Sequence, residues 1–223
     1  MSNPNRLARF FAGYGRLTIF LIPIGVATNF IGGQLANLLK LPIYLDSIGT
    51  VLVGALCGGL PGAVVGAVSN VINSITNPTT MAYAIISVVI GLLAGWFSRA
   101  GWFLKLWKAL LTVIPFALVG GAGGALITIW LFGGLTPSGN SVIVAALHAT
   151  GIDLNTAVYI AGIPFDMLDK LLTVLVVFLI LKRVPERLLT KLPLGSIYRK
   201  SKPKSAASAP IEYETDDDLS LGR

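Results

Sequence analysis

The chain has a single cysteine and a single histidine, and charged residues make up only 12% of it. Cys57 alone excludes an intrachain disulfide, and with only His148 available no zinc-type Cys/His set assembles; no metal site is expected. No Walker loop, zinc signature or serine-nucleophile motif occurs, so the chain carries no ATP engine and no recognisable catalytic centre. An intramembrane enzyme would need a nucleophile and base, or two metal ligands, on facing helices, and one histidine argues against it. The chain is therefore read as a non-enzyme without cofactor.

Scarce charge goes with 54% hydrophobic residues and a mean hydropathy of +0.79, outside the range of a soluble globular domain. Only nine Asp, Glu, Lys or Arg residues lie between Leu17 and Leu181. Continuous apolar runs such as 171–181 do not alternate, which excludes a β-barrel and leaves an all-α integral membrane bundle. The pI near 9.7 does not indicate nucleic acid, because the basic residues flank apolar spans instead of decorating a globular face. They read as positive loops held in the cytoplasm.

The first span is expected over 17–38, loosened by Pro23, Gly25, Gly32 and Gly33 and preceded by Arg6, Arg9 and Arg16 without a cleavage pattern. Residues 48–70 form either one span or two short ones broken at Gly58-Gly59-Leu60-Pro61-Gly62. Later spans are expected over 81–98, 109–132 and 163–181. A turn at the glycine break gives six transmembrane helices and puts Arg99, Lys105 and Lys108 on the same side as the eight basic residues between Lys182 and Lys204. Without the turn, that cluster is forced outside. The positive-inside rule thus predicts six spans in the cell membrane with both termini cytoplasmic. The two middle helices, 46–57 and 61–76, would be about 18 and about 24 Å long at 1.5 Å per residue. Residues 133–160 make a long outer connection whose apolar piece, 141–149, is too short to span and suits a lid or re-entrant helix. The domain reading is a basic N-terminus over 1–16, a membrane domain over 17–188, and a basic then acidic tail over 189–223 without order.

Ionisable residues at membrane depth are costly and mark substrate paths, proton relays or internal ion pairs. Asp166, Asp169, Lys170 and Thr173 fall at i, i+3, i+4 and i+7, sharing one helical face while Met167, Leu171 and Val174 point elsewhere. Asp166 and Lys170 can pair at i, i+4, leaving one acid for a partner or ligand. Asn70, Asn73 and Asn77 form a carboxamide face suited either to a hydrogen-bonding solute or to bonding a neighbouring helix. Asn29, Asn37 and Gln34 around Gly33 could close the same cavity. Asp46 either caps the second helix or meets ligand. Tyr44 and Tyr159 either stack on a ring or anchor the chain at the interface. Glycines four apart, at 54/58, 62/66 and 91/95, suit close internal helix packing or a partner subunit.

Three stretches resemble the substrate-binding S components of energy-coupling factor (ECF) transporters: Leu45-Asp46-Ser47-Ile48-Gly49-Thr50; Gly54 through Ala63 running into Asn70; and Ile163-Pro164-Phe165-Asp166 with Leu168-Asp169-Lys170 and Arg183-Val184-Pro185. The resemblance covers residues 15 to 188. It implies a six-helix subunit that captures a vitamin or related micronutrient at the outer face, topples in the membrane, and is energised by a transmembrane coupling protein and two cytoplasmic ATPases. It carries the ligand role onto Asn73, Asn77, Asp46, Asp166, Asp169 and Lys170, whose excess of acids suggests a neutral or zwitterionic solute. Family members present an Ala-x-x-x-Ala strip to the coupling protein; Ala8 and Ala12 have that spacing, and Gly25 and Gly33 occupy the middle of the first helix. The expected function is therefore micronutrient capture for an ABC-type importer. The alternatives are a membrane sensor, disfavoured because no folded output domain follows Lys204, and a proton-coupled secondary transporter using Asp166 and Asp169, disfavoured because no inverted repeat is visible.

Overall fold

A computed structural model describes residues 15–200, with the side chain of Lys200 left aside. Every regular element among the described residues is helical. α1 spans Arg16–Leu38, α2 Ile48–Cys57, α3 Gly59–Asn73 and α4 Ala84–Arg99, the last entered through a 3-10 turn at Pro78–Tyr83. α5 (Leu106–Leu111), α6 (Val113–Ala117), a π-turn (Leu118–Ala122) and α7 (Gly123–Phe132) follow in succession as one helical rod. α8 is Gly139–Ala149, α9 Leu154–Arg183, α10 Glu186–Leu189 and α11 Gly195–Lys200.

Three stretches, Arg16–Leu38, Pro78–Arg99 and Leu106–Phe132, are long and apolar enough to cross a membrane. α9 has 30 residues, about 45 Å at 1.5 Å per residue, yet no 18-residue window of it avoids Asp166, Asp169 and Lys170. The outer surface is apolar as well: Ile31 is 66% exposed, Trp130 82% and Leu179 61%. Large exposed apolar areas of this kind mark a membrane or partner surface.

The chain breaks at one residue where the sequence predicts a turn over 58–62. Gly58 alone separates α2 from α3, at φ +108, a left-handed region that an L side chain resists. Pro61 then sits in the first turn of α3, where its missing N–H costs nothing. The resulting hairpin closes on glycine. A Cβ at Gly62 would lie 2.7 Å from the Gly54 Cα and 3.0 Å from the Gly91 carbonyl oxygen, and one at Gly59 would lie 2.9 Å from the Leu92 carbonyl oxygen. Helices in lipid gain little from hydrophobic burial and associate through close backbone packing, which these positions permit. The 54/58, 62/66 and 91/95 pairs are thus occupied within the chain, gathering α2, α3 and α4. Gly25 of α1 approaches in the same way, with its virtual Cβ 2.8 Å from Val53 and 3.1 Å from Val65.

Contacts between Gly25 and Gly49, Gly66 and Ser87, Gly123 and Ile86, and Gly121 and Ile163 pack α1, α2, α3, α4, the α5–α7 rod and α9 side by side, each running opposite to the one before it. One end of the bundle collects Asp46, Asn73, Tyr83, Thr128 and Asp166. The other collects Gly15, Leu56, Ser98 and the segment after α9, because Gly15 lies against Lys191 and the Leu194 N–H donates to the Leu56 carbonyl.

This last contact corrects the expected disordered tail from 189 onward. Leu189, Leu192 and Tyr198 are buried, and the Tyr198 hydroxyl shares a 2.6 Å hydrogen bond with Ser98 and donates to the Ala55 carbonyl at 3.3 Å. Burial pushes the Tyr198 hydroxyl above its ordinary pKa, so it stays protonated. The chain remains packed through α11, while the acidic segment and Ala8 and Ala12 lie outside the described residues.

Candidate functional site

The charged face of α9 is where its spacing puts it. Asp166, Asp169, Lys170 and Thr173 are all buried, whereas Met167, Leu168 and Leu172 are exposed. Val174, expected to point elsewhere, is also fully buried: one turn beyond Lys170, it continues the inward face into the apolar core.

Two of the three charges are saturated. The Lys170 Nζ lies 2.7 Å from Asp169 Oδ2 and 3.3 Å from Asp166 Oδ1, and donates to Ser47 Oγ at 3.3 Å. An ammonium has three donors, and three acceptors surround it. The Asp169 Oδ1 accepts from the backbone N–H groups of Tyr44 at 3.1 Å and Leu45 at 2.7 Å. Leu45 holds φ +53, an arrangement that costs an L residue on the order of 1 kcal/mol. Together with Tyr44 it delivers paired amides to a buried carboxylate. Asp166 differs. Its Oδ2 is buried and has no hydrogen-bond partner.

Asp166 lines a cavity of about 120 Å³ between α1, α3, the 3-10 turn, the π-turn, α7, α8 and α9. Cavities of about 150 Å³ accept a single aromatic ring, which sets the size class. Asn70, Asn73 and Asn77 line one wall, Asp46 and Lys170 another, and Asn140, Ser141 and Val144 of α8 a third. Gly120 and Gly121 of the π-turn bring bare backbone up to the Asp166 carboxylate, and a Cβ at Gly120 would collide with both its oxygens. π-turns recur at functional sites. A second, more open hollow of about 220 Å³ adjoins the first through Asn37, Asn77 and Ser138.

The predicted residues divide by their present partners. Asn73 is buried on the cavity wall with one long contact, from Gln34 Nε2 at 3.5 Å. Asn77 lines the cavity and accepts from Thr79 N–H and Oγ1. Asn70 donates to Gly66 O and Ser87 Oγ, and so also joins α3 to α4. Asp46 lines the cavity, and Ser47, not Asp46, occupies the N-cap of α2, without a side-chain cap bond. Tyr44 stands at the cavity beside Asn140. Tyr159 packs with Ala157 and Val144 in a separate apolar cluster and is not on the cavity wall; Asp169 lies behind that wall. Asn29 ties three helices, donating to Thr50 and Ser69 and accepting from Gly49 N–H. Gly25 and Gly33 are buried on the inward side of α1, Gly33 facing Asp46 and Asn73. The exposed side of α1 carries Phe20, Ile24, Ile31 and Leu35 instead.

Sequence reasoning passed over Asn140 and the pair Tyr83 and Thr128, whose hydroxyls meet at 2.7 Å on the cavity wall. Asn140 had a signal, a polar residue opening a short apolar helix; Thr128 inside an apolar rod had only its hydroxyl. His148 sits away from the cavity, its Nδ1 2.8 Å from the Ile152 carbonyl. No grouping of three His, Cys, Asp or Glu suited to a metal occurs among the described residues.

No family model, curated protein or solved structure matches this chain.

Proposed function

We propose that this chain is the ligand-capturing membrane subunit of a micronutrient importer of the ECF type, with the cavity under α8 as its binding site. The observation that carries the reading is a polar, ring-sized cavity at one end of an otherwise apolar bundle, with a buried carboxylate oxygen left without a partner. Polar groups at that depth are expensive and are retained where they meet a solute.

In this reading all six passes cross the bilayer. α9 spans because its three charges are turned inward and paired, so lipid meets only Met167, Leu168, Leu172 and their neighbours. The cavity end faces outward, and the end bearing Arg16, Arg99, Lys105, Lys108 and Arg187 faces the cytoplasm, as the positive-inside rule requires. The ligand enters beside α8, which closes over it, and a closed state better complementary to ligand than the open one shifts the population on binding. Release inward then depends on a transmembrane coupling protein and two ATPases, because the chain has no nucleotide-binding loop. Asp46, Asn73, Asn77 and Asp166 contact the ligand; Asp169 and Lys170 hold the wall on which Asp166 stands.

Native mass spectrometry of the purified protein, followed by denaturing release, tests the reading. A stoichiometric small molecule supports capture. An empty protein that binds none of a panel of labelled vitamins favours a sensor instead.

A further inference from the structure

Two acceptors lining the cavity have nothing to accept. The Oδ2 of Asp166 and the Oδ1 of Asn140 are both buried without a hydrogen-bond partner, on residues 3% and 8% exposed, and both residues line the same space. They come from different elements, α9 and the start of α8. A carboxylate and an amide oxygen accept and do not donate. An unmet buried acceptor costs about 1–3 kcal/mol, more if charged, so each marks a place where a donor belongs.

Charge sharpens the choice of donor. Asp46, Asp166 and Asp169 stand against one ammonium, Lys170, whose three donors are already taken by Asp166, Asp169 and Ser47. No other cationic side chain lines this cavity to receive an anionic ligand; Lys40 lines only the adjoining hollow. The geometry points to a ligand that is a compact, ring-sized cation with at least two N–H donors, an amidinium or ring-conjugated ammonium, held between Asp166 and Asn140. This rests on the capture reading and narrows it from a neutral or zwitterionic solute. The amidinium end bridges the two acceptors while the carboxamides of Asn73 and Asn77 meet polar substituents on the ring. Asn140 makes the contact only when α8 is seated, so the ligand's second N–H fastens the helix that covers it.

The test uses the full chain in lipid nanodiscs and three probes matched in ring and size: benzamidinium, benzamide and benzoate. Isothermal titration is expected to give benzamidinium at least tenfold tighter than benzamide, with no measurable benzoate binding. Asp166→Asn should reduce benzamidinium affinity tenfold or more, the scale of one charge-assisted hydrogen bond. Should that variant fold poorly because Lys170 loses a partner, Asn140→Ala serves, since its Oδ1 has no internal bond to lose and its side chain gives up only its contact with Tyr44, and about a fivefold weakening is expected. Benzamide or benzoate binding as tightly as benzamidinium overturns the inference, as does failure of all three. A neutral or anionic molecule released from the purified protein also overturns it, while leaving the capture reading standing; an empty protein that binds neither these probes nor the vitamin panel overturns both.

Discussion

At the scale of single residues, the site depends on which polar atoms are already bonded. Lys170 pairs with two carboxylates inside the bundle, and removing one member of a buried ionic cluster leaves uncompensated charge at a cost of about 3–5 kcal/mol. Lys170→Met is therefore expected to lower thermal stability sharply, read as loss of the monodisperse peak in fluorescence-detected size exclusion after heating. Asp169→Asn should act in the same direction, because Oδ1 anchors the Tyr44 and Leu45 amides. Asp166→Asn should cost less in the empty protein, having only its Oδ1 contact to lose. If Asp166→Asn proves the most damaging of the three, the division into supporting and ligand-facing acids is wrong. The shared face of these residues was legible from their spacing. Their division was not, because the partners of Asp169 are main-chain amides 124 and 125 positions away, and amides carry no side-chain signature.

Among the elements, packing on bare backbone decides the arrangement of α2, α3 and α4. Gly62→Val would drive a branched side chain into the Gly54 backbone and the Gly91 carbonyl. Overpacking costs about 1–3 kcal/mol where side chains can yield, and here backbone stands in the way, so loss of folded protein is expected on purification. Gly133→Ala, with open space around it, is the control; its φ of +64 leaves a modest backbone cost only. The break at Gly58 could be read because glycine and proline announce turns. The docking of α11 could not, since its short, polar sequence looks like a tail until Tyr198 meets Ser98. Tyr198→Phe should lose about 1 kcal/mol, a small fall in melting temperature, whereas Tyr198→Ala also empties a buried site and should cost about 3–5 kcal/mol.

Over the whole molecule, the two ends differ in charge, and that difference predicts orientation. Cys57 is 1% exposed, so the natural protein should resist membrane-impermeant thiol reagents. In intact cells Thr150→Cys, beyond α8, should label readily, while Arg187→Cys should label only after permeabilisation. The reverse pattern would invert the cavity and remove it from the outer face. Composition revealed the helical, apolar class. The cavity itself stayed hidden, because it is made where a π-turn in an apolar rod meets a charged helix, and neither feature alone encloses space.

The buried charges of α9 also bear on how the chain is made. Charged side chains at the centre of a membrane helix each oppose insertion by about 2.5–3.5 kcal/mol, so α9 entering lipid alone meets a penalty that the apolar stretch after it only partly offsets. Its relief comes from Ser47 and the amides of Tyr44 and Leu45, which leave the ribosome more than a hundred residues earlier. If α9 crosses the bilayer, as we propose, its insertion is conditional on the earlier helices already standing together, and completion of the bundle is itself the step that hides the charge.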